Sequence, residues 1–231
     1  MSVREEFDRW AREGRDRGME ERHWHTAKVA LAWMPVEPGD TVLDLGTGSG
    51  YAARAMREAG GAGRAYGLDA AREMARNARS YTDDDAVGFL QGAFGALPFE
   101  SESIDHCFSM EAFYYAGDPH ETLRELRRVL RAGGTFLCAV NYFEESVHTH
   151  DWPERTGVGM TRWSREEYAE AFRAAGFHVG AQNTIPDREI EIPPAESFPT
   201  EDFETREAMV ERYRKHGTLL TVGVVPDADD P

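Results

Sequence analysis

The stretch VLDLGTGSGYAARAM, Val42 to Met56, decides how the rest of the chain is read. An apolar run of strand length ends in glycines at alternate positions, Gly46, Gly48 and Gly50, and passes directly into a helical pattern. Such a turn lets backbone N–H groups at a helix N-terminus approach a ligand with no Cβ in the way. The spacing is G-x-G-x-G, not the G-x-G-x-x-G of dinucleotide sites. Asp44 stands two residues before the first glycine, where a carboxylate can face a bound cation and serves no pyrophosphate. Nineteen residues after Gly50, Asp69 closes the run Tyr66-Gly67-Leu68-Asp69, a position from which a carboxylate accepts ribose hydroxyls. An ordinary βα loop and a helix-capping Asp are the plain alternatives; strand, turn, helix and acid in register argue against both.

On either side, apolar runs of strand length alternate with amphipathic stretches, the pattern of βαβ units and a parallel sheet. Strands are expected at 41–45, 65–68, 87–91, 104–109, 135–140 and 177–181, with a last one at 218–225, and helices at 51–59 and 72–80. Asp118, Pro119 and Glu121 open a further helix with an apolar face of Leu123, Leu126, Val129 and Leu130, which Gly133-Gly134 should end. Ser164 and Glu167 form a capping box for another helix, with Gly176 as its C-terminal cap, and Thr200 is expected to cap a helix reaching about His216. The expectation is one domain over 1–231. Residues 1–35 would be a helical lid, 40–181 the cofactor-binding core, 141–163 an acceptor-side insertion, and 185–231 an extension carrying the last strand.

At 231 residues and 41% apolar composition the chain can bury a sizeable core. Its 26 basic and 42 acidic residues leave a net charge of −16, a field that repels phosphate backbones and anionic headgroups. Nucleic acid is therefore not an expected partner. Cys107 and Cys138 lie in separate apolar runs without ligand spacing and read as buried small hydrophobes. No run approaches the ~20 apolar residues of a membrane span, and no signal-peptide core is present, so a soluble cytoplasmic protein is expected.

VLDLGTGSG resembles the first motif of the class I S-adenosylmethionine-dependent methyltransferases, particularly the small-molecule branch that includes quinone and sterol C-methyltransferases. YGLDAAREM is similar to the second motif, FLQGAFGALPF (89–99) to the third, and LRELRRVLRAGGTF (123–136) to the helix and double-glycine turn before strand five. The resemblance covers roughly residues 40 to 181. It implies a Rossmann-like α/β fold: a seven-stranded, mostly parallel sheet with an antiparallel last strand and helices on both faces. It also implies S-adenosyl-L-methionine as cofactor, held by Asp44, Leu45, Gly46, Thr47, Gly48 and Gly50, by Asp69, Ala70 and Met74, and by Gly92, Ala93, Phe94 and Ser109. One departure stands out: the family commonly has an acid, which bonds the adenine amino group, where this chain has Ala93.

Met110-Glu111-Ala112 resembles the Ile-Glu-Ala of sterol methyltransferases, although their downstream Cys-His is replaced by Tyr114-Tyr115. A carboxylate among aromatic faces stabilises positive charge as it develops, which makes Glu111 and Tyr114 catalytic candidates; packing aromatics beside a solvated loop acid is the alternative. His148 and His150, in HTHDW, are candidates for a base or for positioning the acceptor, with His23 and His25 as a second pair; no spacing joins the pairs as metal ligands. Arg162, Arg165 and Arg188 are available to an anionic acceptor, but arginine is too common here to single them out. The expected partner is a small, apolar or aromatic methyl acceptor, isoprenoid or quinone-like. Two other functions fit parts of the pattern: a nicotinamide-dependent oxidoreductase, against the glycine spacing and Asp44, and a cofactor-binding domain without transfer activity, which Ala93 keeps open.

Only Lys28 and Lys215 are lysines; the remaining basic residues are arginines. A coding preference fits this, and so does an acidic, lysine-poor surface adapted to high salt. Under the second cause, the thermal unfolding midpoint falls steeply as molar salt is dialysed away; full stability in dilute buffer contradicts it.

Overall fold

The computed structural model describes residues 2–227, so Asp229 and Asp230 of the C-terminal acidic run lie outside the described residues. Ser2 opens α1 (Val3–Arg12) with a reciprocal capping box to Glu5, and Gly14, in the left-handed conformation, turns the chain into α2 (Arg15–Leu31). β1 (Thr41–Leu45) runs through the glycine turn into α3 (Tyr51–Glu58). Then come β2 (Arg64–Asp69), α4 (Arg72–Ser80), β3 (Val87–Gln91), β4 (Ile104–Met110), α5 (Pro119–Val129) and β5 (Leu130–Val140). α6 (Trp152–Thr156) lies in the long connection before α7 (Arg165–Ala174), which is followed by β6 (His178–Ile185), α8 (Arg206–Val210) and β7 (Thr218–Val224).

The seven strands form one sheet in the order β3-β2-β1-β4-β5-β7-β6. β1 to β5 are joined by parallel ladders, and β7 runs antiparallel to both β5 and β6, so it alone is reversed. This is the Rossmann-like sheet with its antiparallel last strand that the sequence led us to expect. The order switches direction between β1 and β4, which are neighbours although two strands separate them in the chain. Connections leave these two strands to opposite sides, and a crevice opens at their C-terminal ends.

Alternation along the central strands divides the core. Leu43, Leu45, Cys107 and Phe136 face α5 and α7, while Val42, Phe108, Leu137 and Ala139 face α2 and α3. Phe136 stacks on Phe172 of α7 with ring centroids 5.2 Å apart. Both cysteines are buried and free. Among the described residues, no helix is long and apolar enough to cross a membrane.

Three elements differ from the sequence reading. Gly133-Gly134 does not end α5, which stops at Val129. Leu130 pairs directly with Ile104, and the glycines form an irregularity inside β5 before Thr135 pairs with His106. A Cβ at Gly134 would lie 2.6 Å from the Asp105 carbonyl, so the glycine serves the close approach of two strands. Thr200 holds only a turn, accepting the Phe203 N–H, and Thr205 is the N-cap of the last helix. Both are hydroxyl residues with acids in the positions that follow, and phasing does not choose between them. Beyond Val210 that helix widens into a π turn, Glu211–His216. The third difference is β6, which continues to Ile185, further than the expected 181.

Candidate active site

The switch-point crevice is a cleft walled by the glycine turn, the ends of β2 and β4, and residues of α1 and α2. Gly46, Gly48 and Gly50 have φ of 79°, 52° and 82°, values that favour glycine. A Cβ on Gly46 would stand 2.2 Å from that of Ala112, whereas at Gly48 nothing lies within 4 Å, so the turn leaves room over its own backbone. Asp44 is 2% exposed; its Oδ2 accepts the Thr47 hydroxyl at 2.6 Å and the Ala53 N–H at 3.2 Å. Asp69 accepts the Gly48 N–H at 3.0 Å and the Ala71 N–H at 2.9 Å. Burial pushes Asp44 up to about 7 and Asp69 up to about 6, against these hydrogen bonds.

Glu111 follows β4 with φ 54°, a left-handed conformation that costs a non-glycine residue ~1 kcal/mol and persists only where its surroundings enforce it. Here its N–H donates to the Ala139 carbonyl at 2.9 Å. Its carboxylate accepts the Tyr114 hydroxyl at 3.1 Å and the Asn141 N–H. Burial raises Glu111 to about 7, while Arg212 and the two hydrogen bonds pull the other way. Glu111 lines the cleft and also a second cavity of about 400 Å³ beyond it, so it stands in the wall between the two. Phe7, Met19, His23 and Tyr115 share that wall.

The two spaces differ in charge. Five carboxylates, those of Asp16, Glu20, Asp44, Asp69 and Glu111, line the cleft without any Lys or Arg. Asp16 Oδ1 is buried and has no hydrogen-bond partner, although Oδ2 accepts from Tyr81 and Asn77. The second cavity carries five arginines, four carboxylates and several aromatic rings; of the acids, Glu6 and Asp202 are paired with Arg9 and Arg155, and Asp187 accepts the Glu189 and Ile190 N–H groups. A cation is favoured in the first space, and an aromatic or anionic group suits the second.

Comparison with known proteins places this geometry. A family profile described as "Methyltransferase domain" matches residues 43–138. The methyltransferase solved in complex with the Haloferax volcanii Trm112 methyltransferase activator is 65% identical, with a TM-score of 0.95 over 97% of this chain and 100% of that one. The chain belongs to the class I S-adenosylmethionine-dependent methyltransferases. Sterol 24-C-methyltransferase of Gibberella zeae is 34% identical over 156 residues, 62% of this chain and 41% of the relative. Geranyl diphosphate C-methyltransferase of Streptomyces coelicolor shares the fold, with a TM-score of 0.69 at 19% identity over 87% and 79% of the two chains. The chain spans between 27% and 52% of the length of the curated relatives it matches.

Of the residues singled out in the sequence, this methyltransferase brings Asp44, Gly46, Thr47, Gly48, Asp69, Ala70, Phe94 and Glu111 to the cleft. Leu45, Gly50, Met74, Gly92, Ala93 and Ser109 are outside its lining. Met74 is wholly buried against Ala11 and Ala71, Gly92 spends its N–H on the Asp69 carbonyl, and Ala93 is exposed. Ser109 braces β4 to β1 by donating to the Leu45 carbonyl at 2.9 Å. Tyr114 and His148 line the second cavity, where His148 Nε2 sits 3.2 Å from Glu211. His150 reaches neither space, and its Nε2 meets the Glu144 carbonyl at 2.9 Å. Among the described residues no three His, Cys, Asp or Glu side chains gather as metal ligands. Sequence reading passed over Asp16, Glu20 and Phe7, which reach the cleft only because α1 and α2 fold across it. Glu20 is fastened there by the Ser49 hydroxyl at 2.8 Å and Arg54 at 3.2 Å.

Because the folded-state value of Glu111, about 7, lies above its ordinary 4.5, ionisation of this residue favours the unfolded chain. That cost is absent below pH ~4.5 and complete above ~7. Urea unfolding of Glu111→Gln should therefore show a stability gain over wild type that grows from pH 5 to pH 8, by up to ~3 kcal/mol. A difference that stays flat over this range contradicts the burial of an ionisable Glu111.

Proposed function

We propose that the chain transfers a methyl group from S-adenosyl-L-methionine to a small acceptor held in the second cavity. The observation that carries this reading is the place of Glu111 in the wall shared by an acidic cleft and an arginine-bearing cavity. The residues present fit the cofactor. The turn leaves open space over Gly48, and the orphaned Asp16 Oδ1 offers a buried acceptor. Asp69 would take the ribose hydroxyls, Asp44 with Thr47 the amino end, and Ala70 and Phe94 the faces of the adenine. The bound cofactor supplies an electrophilic methyl group on a positively charged sulfur. The chain's own contribution is positioning and electrostatics. Glu111, near neutrality in its proton affinity, receives a proton from the acceptor or balances positive charge developing on it. Tyr114 holds the carboxylate in place, and α1 and α2 keep water from the junction.

Two substitutions test this. Asp69→Ala is expected to weaken S-adenosylhomocysteine binding by roughly 1.5–3 kcal/mol, about ten- to a hundredfold, in calorimetric titration; unchanged affinity means the cofactor site is misplaced. Glu111→Gln should lower turnover while leaving that affinity intact, and normal turnover removes Glu111 from the chemistry.

The 65% identity with a methyltransferase solved together with its activator also supports a small activator protein as partner of this chain. Co-expression with a Trm112 protein should yield a complex that survives size-exclusion chromatography in molar salt; separate elution contradicts the partnership.

A further inference from the structure

The second cavity contains the one buried arginine among the described residues, Arg212, 4% exposed at the head of the π turn. Its Nη1 donates to the Gly217 carbonyl at 3.0 Å. The guanidinium lies 5.7 Å from the Trp152 ring and 5.1 Å from the Tyr213 ring, and no carboxylate stands within ion-pair distance of it among the described residues. Of the other arginines of the cavity, Arg9 is engaged by Glu6 and Glu13 and Arg155 by Asp202, while Arg15 lies over the Trp10 ring at 4.3 Å. Glu111 attracts Arg212 without pairing to it, and is itself occupied by Tyr114 and Asn141.

Buried charges are ordinarily paired, because taking an ion out of water unpaired costs several kcal/mol. In a chain with 42 acidic residues a carboxylate partner would be easy to supply. The guanidinium stays charged at any physiological pH, so its missing counter-charge points to a ligand. Arg22, whose Nη2 is 3.5 Å from the Tyr213 hydroxyl and which has no ion pair among the described residues, adds a second cation on the same wall. π turns recur at functional sites, where the extra residue redirects a side chain. At molar ionic strength surface charges are screened within ~3 Å, whereas a buried guanidinium keeps its attraction.

We propose that this cavity binds a methyl acceptor bearing an oxyanion, a carboxylate or phosphate, seated on Arg212, with its aromatic or apolar body against Trp152 and Tyr114. The inference rests on reading this cavity as the acceptor's place. It refines the substrate class from apolar to amphipathic: the anionic head lies deep, and the atom to be methylated lies toward Glu111. A guanidinium presents two parallel N–H groups to an oxyanion, which an ammonium or an amide does not. Arg162, Arg165 and Arg188, considered from sequence for an anion, line neither space.

The test is a calorimetric titration of the full chain, saturated with S-adenosylhomocysteine, with benzoate and phenyl phosphate and with the neutral benzamide and phenol. We expect at least one anion to bind about ten- to a hundredfold tighter than its neutral counterpart, the stronger of the two identifying carboxylate or phosphate. Arg212→Gln should erase the preference while leaving S-adenosylhomocysteine affinity unchanged, and Arg212→Lys should restore part of it. Equal binding of anions and neutral probes to the wild type overturns the proposal without any variant having to fold, as does a preference that survives Arg212→Gln. Failure of S-adenosylhomocysteine itself to bind contradicts the methyl-transfer reading instead, and the probe comparison still decides the anion site.

Discussion

Three carboxylates, Asp44, Asp69 and Glu111, are held almost out of water at the ends of β1, β2 and β4, and a carboxylate in that position needs hydrogen bonds or a cation. Backbone N–H groups of the glycine turn and of the strand ends supply the hydrogen bonds. They do not remove the cost, since all three proton affinities remain raised. The fold thus maintains an electronegative cleft that a positively charged ligand relieves. The direction switch between β1 and β4 makes room for it, and α1 and α2 wall it.

Beyond Glu111 the purely acidic lining gives way to a mixed one with five arginines. A protein with net charge −16 concentrates five arginines around one cavity and leaves the most buried of them without an ion pair among the described residues. The segregation gives Glu111 two neighbours that act on it in opposite ways: burial resists its charge and Arg212 favours it. Its left-handed backbone, pinned by Ala139, sets the carboxylate in the partition. Strain and burial both work against stability at this residue, a pattern that clusters at functional sites.

The strands, the glycine turn and the acid at the end of β2 were legible in the sequence, because period-two apolar runs, glycine spacing and capping residues are local signals. What was not legible depends on tertiary packing. Asp16 and Glu20 sit in RDRGMEERHW, which reads as a solvated charged helix; only the placement of α2 over Ser49 and Arg54 turns two of its acids inward. Arg212 is hidden in ERYRKH, a stretch indistinguishable by composition from an exposed helix end. Gly133-Gly134 carried the mark of a helix stop, yet its reason is the approach of β5 to the Asp105 carbonyl, a contact between strands distant in sequence. The resemblance at Met110-Glu111-Ala112 located the partition but not the character of the second cavity, which is assembled from α1, α2, α6 and the π turn.

In the proposed reading, cofactor and acceptor meet across Glu111 and the acceptor is a small acidic molecule. The most direct test of this reading is to incubate the protein, with and without a Trm112 protein, with S-adenosylmethionine labelled in the methyl group and a whole metabolite extract, and to fractionate the products by anion exchange and mass. The prediction is label in a small molecule retained by the exchanger and heavier than its precursor by one methyl group. Label found in RNA or protein, or only in unretained neutral lipid, would contradict it.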